Sequence, residues 1–92
     1  MNYQPTAYKL ASLGFGMPAR SYGKHSSVTY FNIDQTKAIV LWPGSQEVRF
    51  AVRPFGRTSW SDLHTGVLPD EQAFDRLMIV EAFILPEQLK AA

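Results

Sequence analysis

The 92-residue chain contains no cysteine. Disulfides, thiolate metal centres and a cysteine nucleophile are thereby excluded, and the composition fits a reducing compartment. No apolar run approaches the length that spans a bilayer. The N-terminus lacks the basic and apolar regions of a secretory signal, so the expected location is the cytoplasm. Recognisable catalytic punctuation is also missing. No serine sits in a Gly-x-Ser-x-Gly elbow, and the histidines, His25 and His64, form no ligand-spaced pair. Gly14-Phe15-Gly16 has no strand before it and no third glycine after it, and Pro18 interrupts any continuing helix, so it does not read as a phosphate loop. No helix-turn-helix pattern and no ribonucleoprotein-type aromatic motif appears. Repeats, low-complexity tracts and linkers are absent, and the length suits one domain, residues 1–92.

What the chain does contain is a stretch from Val28 to Arg57 in which runs of β-branched and aromatic residues alternate with short polar or Pro/Gly breaks. That pattern predicts an antiparallel meander. Successive strand side chains point to opposite faces. Val48, Phe50 and Val52 then share an apolar face, while Arg49, Ala51 and Arg53 share the other. Ala38–Trp42 is apolar throughout, as in a central strand. Thr29, Phe31 and Ile33 fall on one face, with Val28, Tyr30 and Asn32 on the other. Asp34-Gln35-Thr36 and Pro43-Gly44-Ser45 predict turns, and Pro54 ends the third run.

Around the meander, Pro5–Leu13 reads as a short helix ended by Gly14, with an extended arm from Tyr3 as the alternative. Gly14–Pro18 reads as a tight connection that tucks Phe15 or Met17 into the core. Ala19–Ser27 reads as a basic polar loop, an ordinary solvated loop with chemistry suited to phosphate contact. Gly56–Gly66 is a fourth, irregular strand or a helical turn, and the strand is the reading adopted. Pro69–Leu85 predicts a helix, with Asp70 and Glu71 at the positive end of its dipole. Ala73, Leu77, Val80 and Ile84 form its sheet-facing stripe, flanked by Phe74. Ile79 and Phe83 project from another face, which predicts an intermolecular contact or cover from the Gly14–Pro18 loop. Pro86 ends the helix, leaving at most a short terminal turn. The expected architecture is α+β: a small antiparallel meander of three or four strands packed against a C-terminal helix, with a short N-terminal helix.

The formal net charge of +1 conceals a separation. Residues 1–61 carry seven Lys/Arg against two Asp/Glu, a net of +5, whereas residues 62–92 carry two against six, a net of −4. Such asymmetry suggests a polyanion or acidic protein surface as partner. The competing explanation is attraction within the molecule between a basic sheet and an acidic helix. The candidate partner- or nucleic-acid-binding residues are Arg20, Lys24, Arg49, Arg53 and Arg57. Arginine at 49 and 53 favours bidentate bonding to phosphate or carboxylate.

Ser61, Asp62 and His64 lie close in sequence, but strand alternation sends Ser61 and His64 to opposite faces, and no nucleophile–base pair is expected. Asp70, Glu71 and Asp75 read as a solvated helix start. The sequence therefore predicts no enzyme, no metal and no cofactor.

Small size, absence of cysteine, a meander and one firm helix resemble the small proteins of phages and mobile elements. With the stretch from Tyr3 to Gly16 (YQPTAYKLASLGFG) ahead of the meander, the chain resembles the type I-F anti-CRISPR inhibitors. The resemblance implies a non-enzymatic inhibitor, working in the cytoplasm of an infected bacterium. It would dock on a Cascade-type CRISPR surveillance complex of protein and RNA and block target DNA. Such a complex offers acidic protein surface and exposed guide-RNA phosphates to a basic face. The resemblance assigns no role to an individual residue. A stand-alone nucleic-acid-binding module is the alternative reading.

Overall fold

The structure, a computed structural model, describes residues 2–91. An N-terminal arm leads into helix α1 (Ala7–Ser12), followed by strands β1 (Met17–Ser21), β2 (Ser27–Phe31), β3 (Lys37–Trp42), β4 (Glu47–Val52) and β5 (Ser61–Val67), then helices α2 (Glu71–Val80) and α3 (Pro86–Ala91). The strands form one antiparallel sheet in sequence order, β1-β2-β3-β4-β5. The α+β class and the antiparallel meander are as expected, but the sheet has five strands rather than three or four.

The added strand is β1, expected as a tight connection and a basic loop. All five of its residues are exposed, so it has no buried face and leaves no apolar alternation to read. Its pairing with β2 runs from Met17↔Phe31 to Ser21↔Ser27. Pro18 is tolerated because β1 is an edge.

The register settles the two faces of the sheet, because directly opposed residues share a face. Tyr30, Ile39, Phe50 and His64 form one row, and Val28, Leu41, Val48 and Gly66 the next. On this face the core assembles, from Tyr30, Ile39, Leu41, Val48 and Phe50 of the sheet with Leu10, Leu13, Phe15, Phe74, Met78, Phe83 and Ile84 of the helical layer. The molecule is accordingly flat, 38 × 37 × 21 Å. The meander turns form as predicted. Asp34 Oδ1 accepts from the backbone N–H and the hydroxyl of Thr36, and these bonds hold its carboxyl below the usual carboxylate range.

Helices α1 and α2 start and stop on local signals. Thr6 Oγ1 caps α1 through the Lys9 N–H, and Asp70 Oδ1 caps α2 through the Ala73 N–H. Asp70 is thus the cap, and Pro69 precedes the helix instead of opening it. Each helix ends in a Schellman motif. At the first, the Gly14 N–H donates to Ala11 O and the Phe15 N–H to Leu10 O. At the second, the Ala82 N–H donates to Ile79 O and the Phe83 N–H to Met78 O. Gly14 takes the left-handed position with φ 96°, and Ala82 does so with φ 59°. The expected Pro69–Leu85 helix therefore stops at Val80, and Pro86 opens α3 instead of ending α2. Gln88 Oε1 accepts from the Leu85 N–H there, half of a capping box.

This termination changes which helix face is buried. Phe74 and Met78 are the buried pair of α2, not the predicted Ala73–Leu77–Val80 stripe. Ala73 and Leu77 pack at the margin of the core, and Val80 is 69% exposed. The expectation of an intermolecular contact through Ile79 and Phe83 is corrected in the same way. The Schellman turn swings Phe83 under the sheet, where it is buried and stacked on Phe15, and Ile79 packs against the same core. The Gly14–Pro18 segment thus supplies cover through Phe15, whereas Met17 stays exposed.

Candidate partner-binding surface

The helical layer covers one face of the sheet; the other is lined by side chains alone. Ala19, Thr29, Val40, Arg49 and Thr65 form one row across it, and Met17, Phe31, Ala38, Ala51 and Asp62 the next. Alternation along β4 puts Arg49 and Arg53 here, as the sequence predicted. Ala38, Val40 and Ala51 are buried between the larger groups.

Both arginines are held in place. Arg49 forms an ion pair with Asp62 on the neighbouring strand through Nε and Nη2. Arg53 Nε donates to the Gln35 carbonyl at 2.8 Å, and its guanidinium lies over the Trp60 ring, 4.2 Å from the centroid. Trp60 in turn meets Phe31, with ring centroids 6.0 Å apart. The Val52↔Ser61 register, continued one residue past both strands, sets Trp60 opposite Arg53 on the face that carries Asp62. Cation–π stacking of this kind restricts the guanidinium plane.

The structure does not bring all the candidate basic residues together. Arg57 is exposed in the β4–β5 connection, beyond Arg53 at the same end of the sheet. Lys24 lies in the β1–β2 connection at the opposite end. Arg20 pairs with Val28, which puts it on the helix-covered face, at the β1 edge. Arg49 and Arg53 therefore form a centre, Arg57 a flank, and Arg20 and Lys24 a separate group.

The acidic helix does not hold the arginines. It is engaged by Lys9, whose Nζ donates to Glu71 Oε2 and Asp75 Oδ1, each at 2.6 Å. Burial opposes the Lys9 charge, yet the bonds to Asp75 and Glu71 outweigh it and raise the lysine pKa. The same link lowers Glu71. Charge pairing between the two halves of the chain thus joins α1 to α2 and β4 to β5, rather than the sheet to α2.

Ser61, Asp62 and His64 do not converge. A bulge between Phe50 and Ala51 in the β4–β5 register aligns Ser61 with Val52 and His64 with Phe50, so both face the helical layer, contrary to simple alternation. Asp62 turns to Arg49 on the other face. His64 stands edge-on to Phe50, and its buried Nε2 has no hydrogen-bond partner. Among the described residues no group of three or more His, Asp or Glu side chains is placed to hold a metal ion.

Sequence reasoning missed Trp60 and Phe31 as companions of the arginines. Phe31 was assigned to the right strand, but only the register shows that its face is the one carrying Arg49. Trp60 lies just before β5, and only the Val52↔Ser61 register shows that it stands opposite Arg53. Comparison with protein-family models, curated proteins and solved structures found no match to the chain.

Proposed function

We propose that the protein is a small non-enzymatic inhibitor that binds a bacterial CRISPR RNA-guided surveillance complex and blocks its access to target DNA. The open sheet face makes the contact, with Arg49 and Arg53 at its centre and Arg57 at its flank. Arg20 and Lys24 form a separate basic group at the far edge, off this face. The single observation carrying this reading is the ordered Arg49/Arg53 pair on a face that no helix covers. Arginine and tryptophan are the residues that dominate binding energy at protein interfaces. A preset guanidinium loses less freedom on binding than a free one, and its planar fork matches carboxylates and RNA phosphates alike. The resemblance to type I-F inhibitors supplies the partner class, a protein–RNA complex in the cytoplasm of an infected bacterium. The mechanism is steric and electrostatic occlusion, with no bond made or broken.

One observation favours a second reading, a stand-alone nucleic-acid-binding module. Phe31 and Trp60 share the face with the arginines, and aromatic side chains beside cations are the chemistry of single-strand binding. Binding to purified type I-F surveillance complex and to protein-free RNA, measured side by side, separates the two. The inhibitor reading requires tight binding to the complex and weak binding to naked RNA. The module reading requires tight RNA binding that weakens steeply with salt.

A further inference from the structure

Among the large apolar side chains of the described residues, Ile33 is 91% exposed and Phe55 79% exposed. Both occupy the second position of a turn at the same end of the sheet. The Gln35 N–H donates to Asn32 O, closing one turn around Ile33, and the Arg57 N–H donates to Pro54 O, closing the other around Phe55. Gly56, with φ 78°, is the left-handed third residue of the second turn. The two turns are fastened to one another. The Arg53 N–H donates to Thr36 O at 2.9 Å, and the Arg53 side chain donates to Gln35 O at 2.8 Å and Gln35 Oε1 at 3.3 Å. Folding requires no apolar group at either corner, and polar residues are the usual occupants of such positions. Charge at this end has one sign in excess. Residues 32–37 and 53–57 contain Lys37, Arg53 and Arg57 against Asp34 alone, a net of +2. Asp34 is already engaged by Thr36.

We propose that this end of the sheet is a protein-docking tip, in which Ile33 and Phe55 enter an apolar pocket on a protein subunit whose rim is acidic and meets Arg53, Arg57 and Lys37. The inference rests on the surveillance-complex reading above and assigns a protein surface, rather than RNA, to this part of the contact. Ile33 favours protein over RNA, because an aliphatic side chain offers no stacking plane and no bond to phosphate. The surrounding cations match a carboxylate rim, and a central apolar anchor within a charged rim is the usual anatomy of a specific interface.

Purified type I-F surveillance complex serves as the probe. The double variant Ile33→Ser/Phe55→Ser should melt as the parent does and bind the complex about tenfold or more weakly, as loss of an apolar anchor requires. Its salt dependence should match the parent's, since an apolar contact releases no counterions. Val80→Ser, which changes an exposed apolar residue on the helical layer, should bind like the parent. A photoreactive benzoylphenylalanine in place of Phe55, close in shape to the native side chain, should cross-link to a protein subunit. A double variant that binds as tightly as the parent, or a cross-link to guide RNA, overturns the docking tip and leaves the function reading standing. A parent protein that does not bind the complex at all removes both.

Discussion

Phe15 and Phe83 stack with their rings nearly parallel and offset, centroids 5.7 Å apart and interplanar angle 11°. Each follows the left-handed residue of a Schellman motif, and each motif delivers its phenylalanine into the core that also holds Phe50 and Phe74. Helix termination and core packing are therefore one feature in this protein. Truncating either ring to alanine should cost about 3–5 kcal/mol, the range for buried phenylalanine. The double variant should fall short of additivity by about 0.5–1.5 kcal/mol if the stacking itself contributes. Urea unfolding of the two single variants and the double variant gives the coupling directly.

The two motifs differ at their left-handed residue, glycine at 14 and alanine at 82. An L-residue in that conformation costs about 1–2 kcal/mol, offset in part by the chain entropy of glycine. Ala82→Gly should therefore stabilise the fold by about 1 kcal/mol, and Gly14→Ala should destabilise it by at least as much. Thermal unfolding checks both, since 1 kcal/mol moves the midpoint by roughly 4–8 °C in a domain of this size.

On α2, Met78→Ala should cost about 2–5 kcal/mol, and Leu77→Ala distinctly less, because Met78 is fully buried and Leu77 only partly. Equal losses at the two positions would place the buried face differently.

Lys9 couples α1 to α2 and makes stability depend on pH in two directions. The folded pKa of Glu71 is lowered by the bonds and charge of Lys9, so this contribution is present above the unfolded carboxylate value and is lost as pH falls through the folded one. The Lys9 pKa is raised, because the bonds to Asp75 and Glu71 exceed the cost of burial. Its contribution is complete below the ordinary lysine value of 10.5 and is lost as pH rises through the folded one. The stability gap between the parent and Lys9→Met should be widest between these limits and close at both ends. Urea midpoints measured across the pH range test this.

Much of the fold was legible because its signals are local. The alternation Val48-Arg49-Phe50-Ala51-Val52 placed Arg49 on the open face before any pairing was known. Gly14 and the Asp34-Gln35-Thr36 turn read correctly because the backbone conformation each requires is written in the residue types. Strand β1 was illegible because Met17-Pro18-Ala19-Arg20-Ser21 is exposed along its whole length and carries no burial pattern. The end of α2 was misplaced because Ala82 holds a position that glycine normally announces. At the candidate surface, Arg49 and Arg53 could be found by period alone. Trp60 and Phe31 could not, since their meeting depends on the register of β2, β3, β4 and β5. Arg20 lies away from the arginine pair through the β1–β2 register, and Lys24 through its place in the β1–β2 connection.

The central claim is that Arg49 and Arg53 bind the partner from the open face. Arg49→Ala/Arg53→Ala removes the pair together with its part-exposed contacts to Asp62, Gln35 and Trp60, which contribute about 0–1 kcal/mol each. Titration calorimetry of this variant against purified type I-F surveillance complex, with thermal unfolding as the control, is the most direct measurement. The account predicts a variant that stays folded and unfolds in one transition, an affinity lower by at least about tenfold, as expected for hot-spot arginines, and a shallower salt dependence than the parent's. A folded double variant that binds the complex as tightly as the parent would contradict it.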